Sequence, residues 1–332
     1  MTAELISTRF TATSTAADVA AGHDLSGHRA IVTGATSGLG LETARVLASV
    51  GAAVTLAVRN TAAGEKVASD IRASTGNNRV EARRLDLADQ GSVSAFVDGW
   101  NQPLHLLVNN AGLVTGGLHR TEQGWELQFA TNHLGHFALT AGLHGALALG
   151  AAEVDGSRVV ILSSTAHMRA GVDFDDLHFN RRPYDPQMAY AQSKTANSLH
   201  AVEITRLWTD DGIVANTVNP GGIATGLQRH FTAAQRRSLD EAEAAGVFRY
   251  KTIPQGAATT LVAAVDPAFA HTGGHYLDDG REAYTVPDDA DMADHPHGVK
   301  HWALDPDLAQ RLWRVSIALT RSPRGALPRQ DR

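Results

Sequence analysis

Tyr190 and Lys194 are separated by three residues in the run Tyr190-Ala-Gln-Ser-Lys194, within a stretch, 189–209, whose apolar spacing predicts a helix. Residues four apart share a helix face, so a phenol and an ammonium stand side by side. A free tyrosine titrates near pH 10, and an adjacent positive charge favours its phenolate. Such a pair can move a proton. The spacing alone is weak evidence, because an aromatic packing edge beside a lysine that snorkels to water produces the same pattern.

The elements that must position this pair follow from the rhythm of the chain. Short β-branched runs predict strands at 30–33, 53–58, 80–85, 104–108, 158–162, 213–218 and around 275–277. Helical patterns lie at 39–50, 62–74, 90–99, 121–149 and 189–209. Alternation of this kind predicts an α/β, doubly wound (Rossmann-type), mostly parallel sheet of about seven strands with helices on both faces. Two segments interrupt it. Residues 165–188 are polar and long for a strand-to-helix loop; residues 221–253 contain an amphipathic helical pattern. Both leave the carboxyl edge of the sheet, where ligands bind in such folds, and are the expected substrate walls. The acidic, histidine-containing stretch to Pro296 reads as irregular, and 305–319 as a final surface helix. The expected organisation is an N-terminal extension at 1–24, the Rossmann-type unit at 25–285 and a C-terminal extension at 286–332.

The first strand runs into Thr33-Gly34-Ala35-Thr36-Ser37-Gly38-Leu39-Gly40 ahead of a helix. Glycines let the backbone approach a pyrophosphate, and the N–H groups and positive dipole end of the helix meet its charge. Gly34, Ser37, Gly38, Leu39 and Gly40 are the expected contacts. The spacing is Gly-x-x-x-Gly-x-Gly, which differs from Gly-x-Gly-x-x-Gly. At the end of the second strand a carboxylate would bind the 2′-hydroxyl of NAD, whereas an arginine accommodates the 2′-phosphate of NADP. The residues there are Ala57-Val58-Arg59-Asn60, so Arg59, with Ser37 as its candidate partner, favours NADP(H). Asp86, followed by Leu87 at the third strand end, could accept from an adenine amino group or cap the next helix.

Polar groups recur at the other strand ends: Asn109-Asn110-Ala111-Gly112 after the fourth and Ser163-Ser164 after the fifth, with Asn132 on the long helix between them. With these motifs in order over about residues 25–277, the chain resembles the short-chain dehydrogenase/reductase superfamily. Thr131-Asn132-His133-Leu134-Gly135-His136-Phe137 and the long gap between Ser164 and Tyr190 resemble its retinol dehydrogenase and WW-domain oxidoreductase branch. The resemblance implies that Ser164 polarises a substrate oxygen and Tyr190 exchanges its proton. It implies that Lys194 lowers the tyrosine pKa and binds the nicotinamide ribose, and that Asn132 holds a water of the proton relay. Asn110, Ala111 and Gly112 then cradle the cofactor, and Pro220-Gly221-Gly222-Ile223-Ala224-Thr225 clamps the nicotinamide, with Pro220, Gly221, Ile223 and Thr225 as contacts. The glycine at 222 departs from the commoner Pro-Gly-x-x-x-Thr.

Composition narrows the alternatives. A formal charge of −6 over 332 residues offers no basic footprint for nucleic acid. Zero cysteines exclude disulfides, thiolate metal sites and cysteine nucleophiles, and suit a cytoplasmic location. No apolar run reaches the roughly 18 residues of a spanning helix, so no membrane anchor is expected. His133, His136, His295, His297 and His301 read as core or surface groups, and no metal is expected. The tryptophans, on helix patterns, read as packing. The expected activity interconverts an alcohol and a carbonyl on a small, hydrophobic molecule. Reduction of an activated carbon–carbon double bond and a non-catalytic NADP(H) sensor are the alternatives. Protochlorophyllide reductases share the branch's appearance but depend on cysteines, which this chain lacks. Family members are often dimers or tetramers paired through the helices bearing Asn132 and Tyr190; a homo-oligomer is therefore expected unless the C-terminal tail blocks that face.

Overall fold

The computed structural model describes residues 4–223 and 249–321, together with Arg237, Glu241 and Glu243. Thr225 and most of the expected amphipathic helix of 221–253 lie outside the described residues. Strands β1 (Arg29–Thr33), β2 (Ala53–Val58), β3 (Val80–Arg84), β4 (Leu106–Asn109), β5 (Ser157–Leu162), β6 (Ile213–Asn219) and β7 (Tyr276–Asp278) form a parallel sheet in the order 3-2-1-4-5-6-7. An eighth strand, β8 (Arg281–Glu282), pairs antiparallel to β7. It was missed because it is two residues long, yet its signal was present. Asp279-Gly280 is a two-residue hairpin turn, with φ of 49° and 77°, the doubly positive pattern that favours Asp-Gly.

Helices α1 (Ala16–Ala20), α2 (Gly38–Ser49), α3 (Thr61–Thr75), α4 (Gln90–Asp98), α5 (Leu127–Gly142), α6 (His144–Val154), α7 (Pro186–Trp208), α8 (Ile253–Val265) and α9 (Pro306–Arg321) surround the sheet. Alternate strand residues feed its two faces. Val32, Leu56 and Val160 pack with Leu47 of α2 and Leu261 of α8, while Ile31, Leu107 and Ile161 pack with Leu139, Leu147 and Ile204 of α5, α6 and α7. Strand order reverses between β1 and β4, so the crevice at a topological switch point opens over the turns after these two strands.

The single helix expected at 121–149 is a correction. Residues up to Glu126 close a bridge between Arg120 and Glu126, and Glu126 caps α5 by accepting from the Gln128 and Phe129 amides at 3.0 and 2.6 Å. Within α5, Ala130–Leu134 forms a π-turn. The chain then bends by 61° between α5 and α6. The region expected to be irregular also holds β9 (Thr285–Val286), paired in parallel with β10 (Val299–Lys300). At the N-terminus, Thr15 and Asp18 build a capping box on α1, whose Ala16, Val19 and Ala20 enter the core. Among the described residues, no single helix is long and apolar enough to cross a membrane.

Candidate active site

The catalytic candidates converge where β5 ends against α7. Asp185 caps α7 through the Gln187 and Met188 amides, and Pro186 opens it, so Tyr190 sits one turn inside the helix and Lys194 one turn further. Ser163 and Ser164 diverge. The hydroxyl of Ser163 is buried and donates to the Lys194 carbonyl at 2.9 Å. Half-buried Ser164 accepts from the Ala166 amide at 3.2 Å, and its hydroxyl stands near enough to the Tyr190 phenol to favour the phenolate. Lys194 donates to the Leu162 carbonyl at 2.9 Å, and its Nζ lies 5.5 Å from the centre of the Tyr190 ring. A β-carbon on Gly112 would lie 3.6 Å from that Nζ, which puts the Asn-Asn-Ala-Gly turn directly against the ammonium.

Burial controls the charge states. It pushes the Tyr190 phenol up to about 12, with the nearby Ser164 hydroxyl opposing, and it pulls the Lys194 ammonium down to about 8. Desolvation disfavours both charged forms at once.

Asn132 lies in the π-turn with its side chain fully engaged. Its Oδ1 accepts from the Leu113 amide at 2.9 Å, and its Nδ2 donates to the Leu113 carbonyl at 3.1 Å and to Ser193 Oγ at 3.0 Å. Both Nδ2 hydrogens and one lone pair of Oδ1 are thus engaged within the protein. Sequence reasoning gave Ser193 no part, yet its hydroxyl donates on to the Tyr190 carbonyl at 2.7 Å.

Around the switch point the glycines are packing requirements. Gly34 takes φ 67°, and a β-carbon there would meet Ala111 Cα at 2.9 Å; one on Gly40 would meet Asn110 Nδ2 at 2.4 Å. Asn110 and Ala111 both donate their amides to Thr33 Oγ1 at 2.9 Å, and Asn110 Nδ2 donates to the Thr33 carbonyl at 2.8 Å. Ser37 is the N-cap of α2 but makes no side-chain cap bond, and Gly38 starts the helix with φ 58°. The first amides of this twelve-residue helix therefore face the crevice without a side-chain cap, as an anion site needs. The carbon skeletons of Leu39 and Ile223 approach each other, since a β-carbon on Gly256 would lie 2.9 Å from one and 2.7 Å from the other. Lys251 bridges to Ile223 and lies along Gly221 next to Pro220, so the described part of the Pro-Gly-Gly turn borders the phosphate loop.

Arg59 and Ser37 are exposed on this edge. Asp86 accepts from the Ala88 amide at 3.1 Å. It does not cap α4; Asp89 does, accepting from Gly91 and Ser92. Leu87 is buried, and its carbonyl presses so closely on α5 that only a glycine fits at Gly135.

A crevice at the switch point of a parallel sheet, with Ser164, Tyr190 and Lys194 gathered beside it, is the arrangement from which the class of protein is read. The chain belongs to the short-chain dehydrogenase family, whose model matches residues 28–236, and within it to the retinol dehydrogenase-like branch. It is 45% identical over 304 residues to a Streptomyces antibioticus protein named "Probable oxidoreductase", covering 90% of this chain and 99% of that one. It is 36% identical over 298 residues to human retinol dehydrogenase 12, covering 89% and 87%. The structure of an uncharacterized protein from Mycobacterium paratuberculosis superposes with a TM-score of 0.69 at 32% identity, covering 92% and 97%. The chain is thus an oxidoreductase of this family.

Proposed function

We propose that this oxidoreductase is NADP(H)-dependent and interconverts an alcohol and a ketone or aldehyde on a small, hydrophobic molecule. The observation that carries the reading is the convergence of Ser164, the Tyr190 phenol and the Lys194 ammonium where β5 ends against α7, with that ammonium 5.5 Å from the centre of the Tyr190 ring and Gly112 of the crevice against it. A bound nicotinamide cofactor supplies the hydride. Gly34, Gly38, Leu39, Gly40, Asn110, Ala111 and Gly112 would hold it, with Ser37 and Arg59 on a 2′-phosphate, Asp86 and Leu87 near the adenine, and Pro220, Gly221 and Ile223 near the nicotinamide. The uncapped start of α2 and the close glycine packing at the switch point fit such a group.

In the reductive direction Ser164 donates to the substrate oxygen and polarises it. Tyr190, held protonated by burial, gives that oxygen its proton as hydride reaches the carbon. Lys194, still charged at neutral pH, stabilises the phenolate left behind. In oxidation the same proton returns to Tyr190.

Stoichiometric oxidation of NADPH by a panel of ketones and aldehydes tests the reading. Turnover with at least one carbonyl and formation of the matching alcohol are expected. Tight NADPH binding with no turnover on the panel would favour a sensor instead, and turnover confined to activated alkenes would favour a double-bond reductase.

A further inference from the structure

Thr33 holds the Asn110-Ala111 turn after β4, and Asn132 reaches Ser193 of α7. One side chain touches both. His136, completely buried on α5, has Nε2 2.8 Å from Thr33 Oγ1 and Nδ1 2.9 Å from the Asn132 carbonyl.

Donor counting fixes the direction of every bond. A carbonyl only accepts, so Nδ1 carries the hydrogen and the neutral ring leaves Nε2 as an acceptor. The Thr33 oxygen spends both lone pairs on the Asn110 and Ala111 amides, so its own hydrogen must go elsewhere. His136 Nε2 takes it at 2.8 Å; the Val108 carbonyl is more distant at 3.4 Å. Asn132 lies in the π-turn, in which the Gly135 amide reaches back to the Ala130 carbonyl.

The bonds then form two runs that meet at Asn132, the first ending on its backbone carbonyl and the second starting from its side-chain amide. The Asn110 and Ala111 amides donate to Thr33, Thr33 to His136, and His136 to the Asn132 carbonyl. Asn132 donates to Ser193, and Ser193 to the carbonyl of Tyr190. We infer that His136 is a positioning residue that locks the cofactor-binding turn and the Tyr190–Lys194 turn into one geometry through a single tautomer. The inference rests on the carbonyl reductase reading only for its effect on turnover.

Two conservative variants separate the arms. An asparagine amide places an N–H near the Nδ1 position, so His136→Asn keeps the Asn132 bond and loses Thr33. A glutamine carbonyl reaches the Nε2 position, so His136→Gln keeps Thr33 and loses Asn132. For His136→Asn the Kd for NADPH rises about tenfold, while kcat at saturating NADPH stays within about threefold of wild type. For His136→Gln the pattern inverts, with kcat down about tenfold and NADPH affinity nearly unchanged. Nitrogen NMR of histidine-labelled protein, with His136 assigned by its loss in His136→Asn, is expected to show the Nδ1–H tautomer. NADPH affinity and tautomer are read without turnover, so a failed carbonyl panel would sink the parent reading and leave these two readouts to judge His136. An Nε2–H tautomer, both variants matching wild type, or both losing affinity and kcat in step with melting temperature would overturn the inference.

Discussion

Lys194 directs its ammonium at the Leu162 carbonyl, 2.9 Å away, while lying 5.5 Å from the centre of the Tyr190 ring on the same face of α7. The cation is therefore held by a strand end and presented beside the phenol. Burial acts on both partners, raising the phenol to about 12 and lowering the ammonium to about 8. With the proposed roles, a phenol that stays protonated and a cation that begins to discharge just above neutrality would give the site its pH dependence.

Carbonyl reduction at saturating NADPH is expected to be level through neutral pH. It should decline as pH rises through about 8, because Lys194 loses its charge there while Tyr190 keeps its proton to about 12. A kcat profile recorded from pH 6 to 10 checks this. A rate that stays level to pH 10 would contradict the assignment of the limb to Lys194.

Arg59 predicts the choice of cofactor. Replacing Arg59 with Asp removes a charge-assisted partner and places a carboxylate where a 2′-phosphate would lie, so KM for NADPH should rise by roughly 10- to 100-fold and that for NADH should fall. Steady-state kinetics with both cofactors decide it. An unchanged preference would leave Arg59 as a solvated surface charge.

The candidate site was legible where its signals are local: Gly34, Gly38 and Gly40 follow a β-branched strand and Arg59 ends the next one, whereas Tyr190 and Lys194 stood out from an ordinary helix only through the Asn and Ser motifs that accompany them. Long-range partners were not legible in the same way. His136 sits on α5 as a core histidine would, and only the fold brings Thr33, 103 positions earlier, against its ring. The apolar pattern from 121 onward ran smoothly enough to hide Glu126 as a cap, the π-turn at Asn132 and the bend before His144. The Thr15–Asp18 capping box and the Asp279-Gly280 turn were visible in principle, but the elements they open are only five and two residues long.

Acid should destabilise the protein well above the carboxylate range. Burial pushes His133 to about 3 and His136, His167 and His178 to about 4, and holds His200 well below its ordinary value. Below pH 6.5 the unfolded chain takes up protons that the folded one refuses, so stability present above that pH is lost as pH falls toward 4. By pH 5 each such histidine removes on the order of 1–2 kcal/mol. Melting temperature measured from pH 7.5 to 5 should fall steeply below 6.5, and a flat profile would show that these rings reach solvent.

The C-terminal helix α9 covers the face through which the helices bearing Asn132 and Tyr190 would pair. Trp313 packs edge-on to Phe137 with centroids 4.9 Å apart, His133 meets Ser316 at 2.9 Å, and Leu312 is buried with Ala196 and Leu199. A homo-oligomer formed through that face requires α9 to be displaced. Leu312→Ala is expected to lower stability by roughly 2–4 kcal/mol. Removing residues from Pro306 onward should expose the apolar face and produce concentration-dependent association in analytical ultracentrifugation. A truncated chain with unchanged melting temperature and association state would mean that α9 contributes nothing to that face.

Single-turnover hydride transfer in Tyr190→Phe, with NADPH affinity measured on the same sample, tests the central claim most directly. The variant removes one hydroxyl, the proposed proton donor beside Ser164, and leaves the crevice intact. The account predicts that NADPH binds within about twofold of wild type while carbonyl reduction falls by about 10²- to 10⁴-fold, the range of a lost general acid. Near-normal turnover by Tyr190→Phe would contradict it and remove Tyr190 from the reaction.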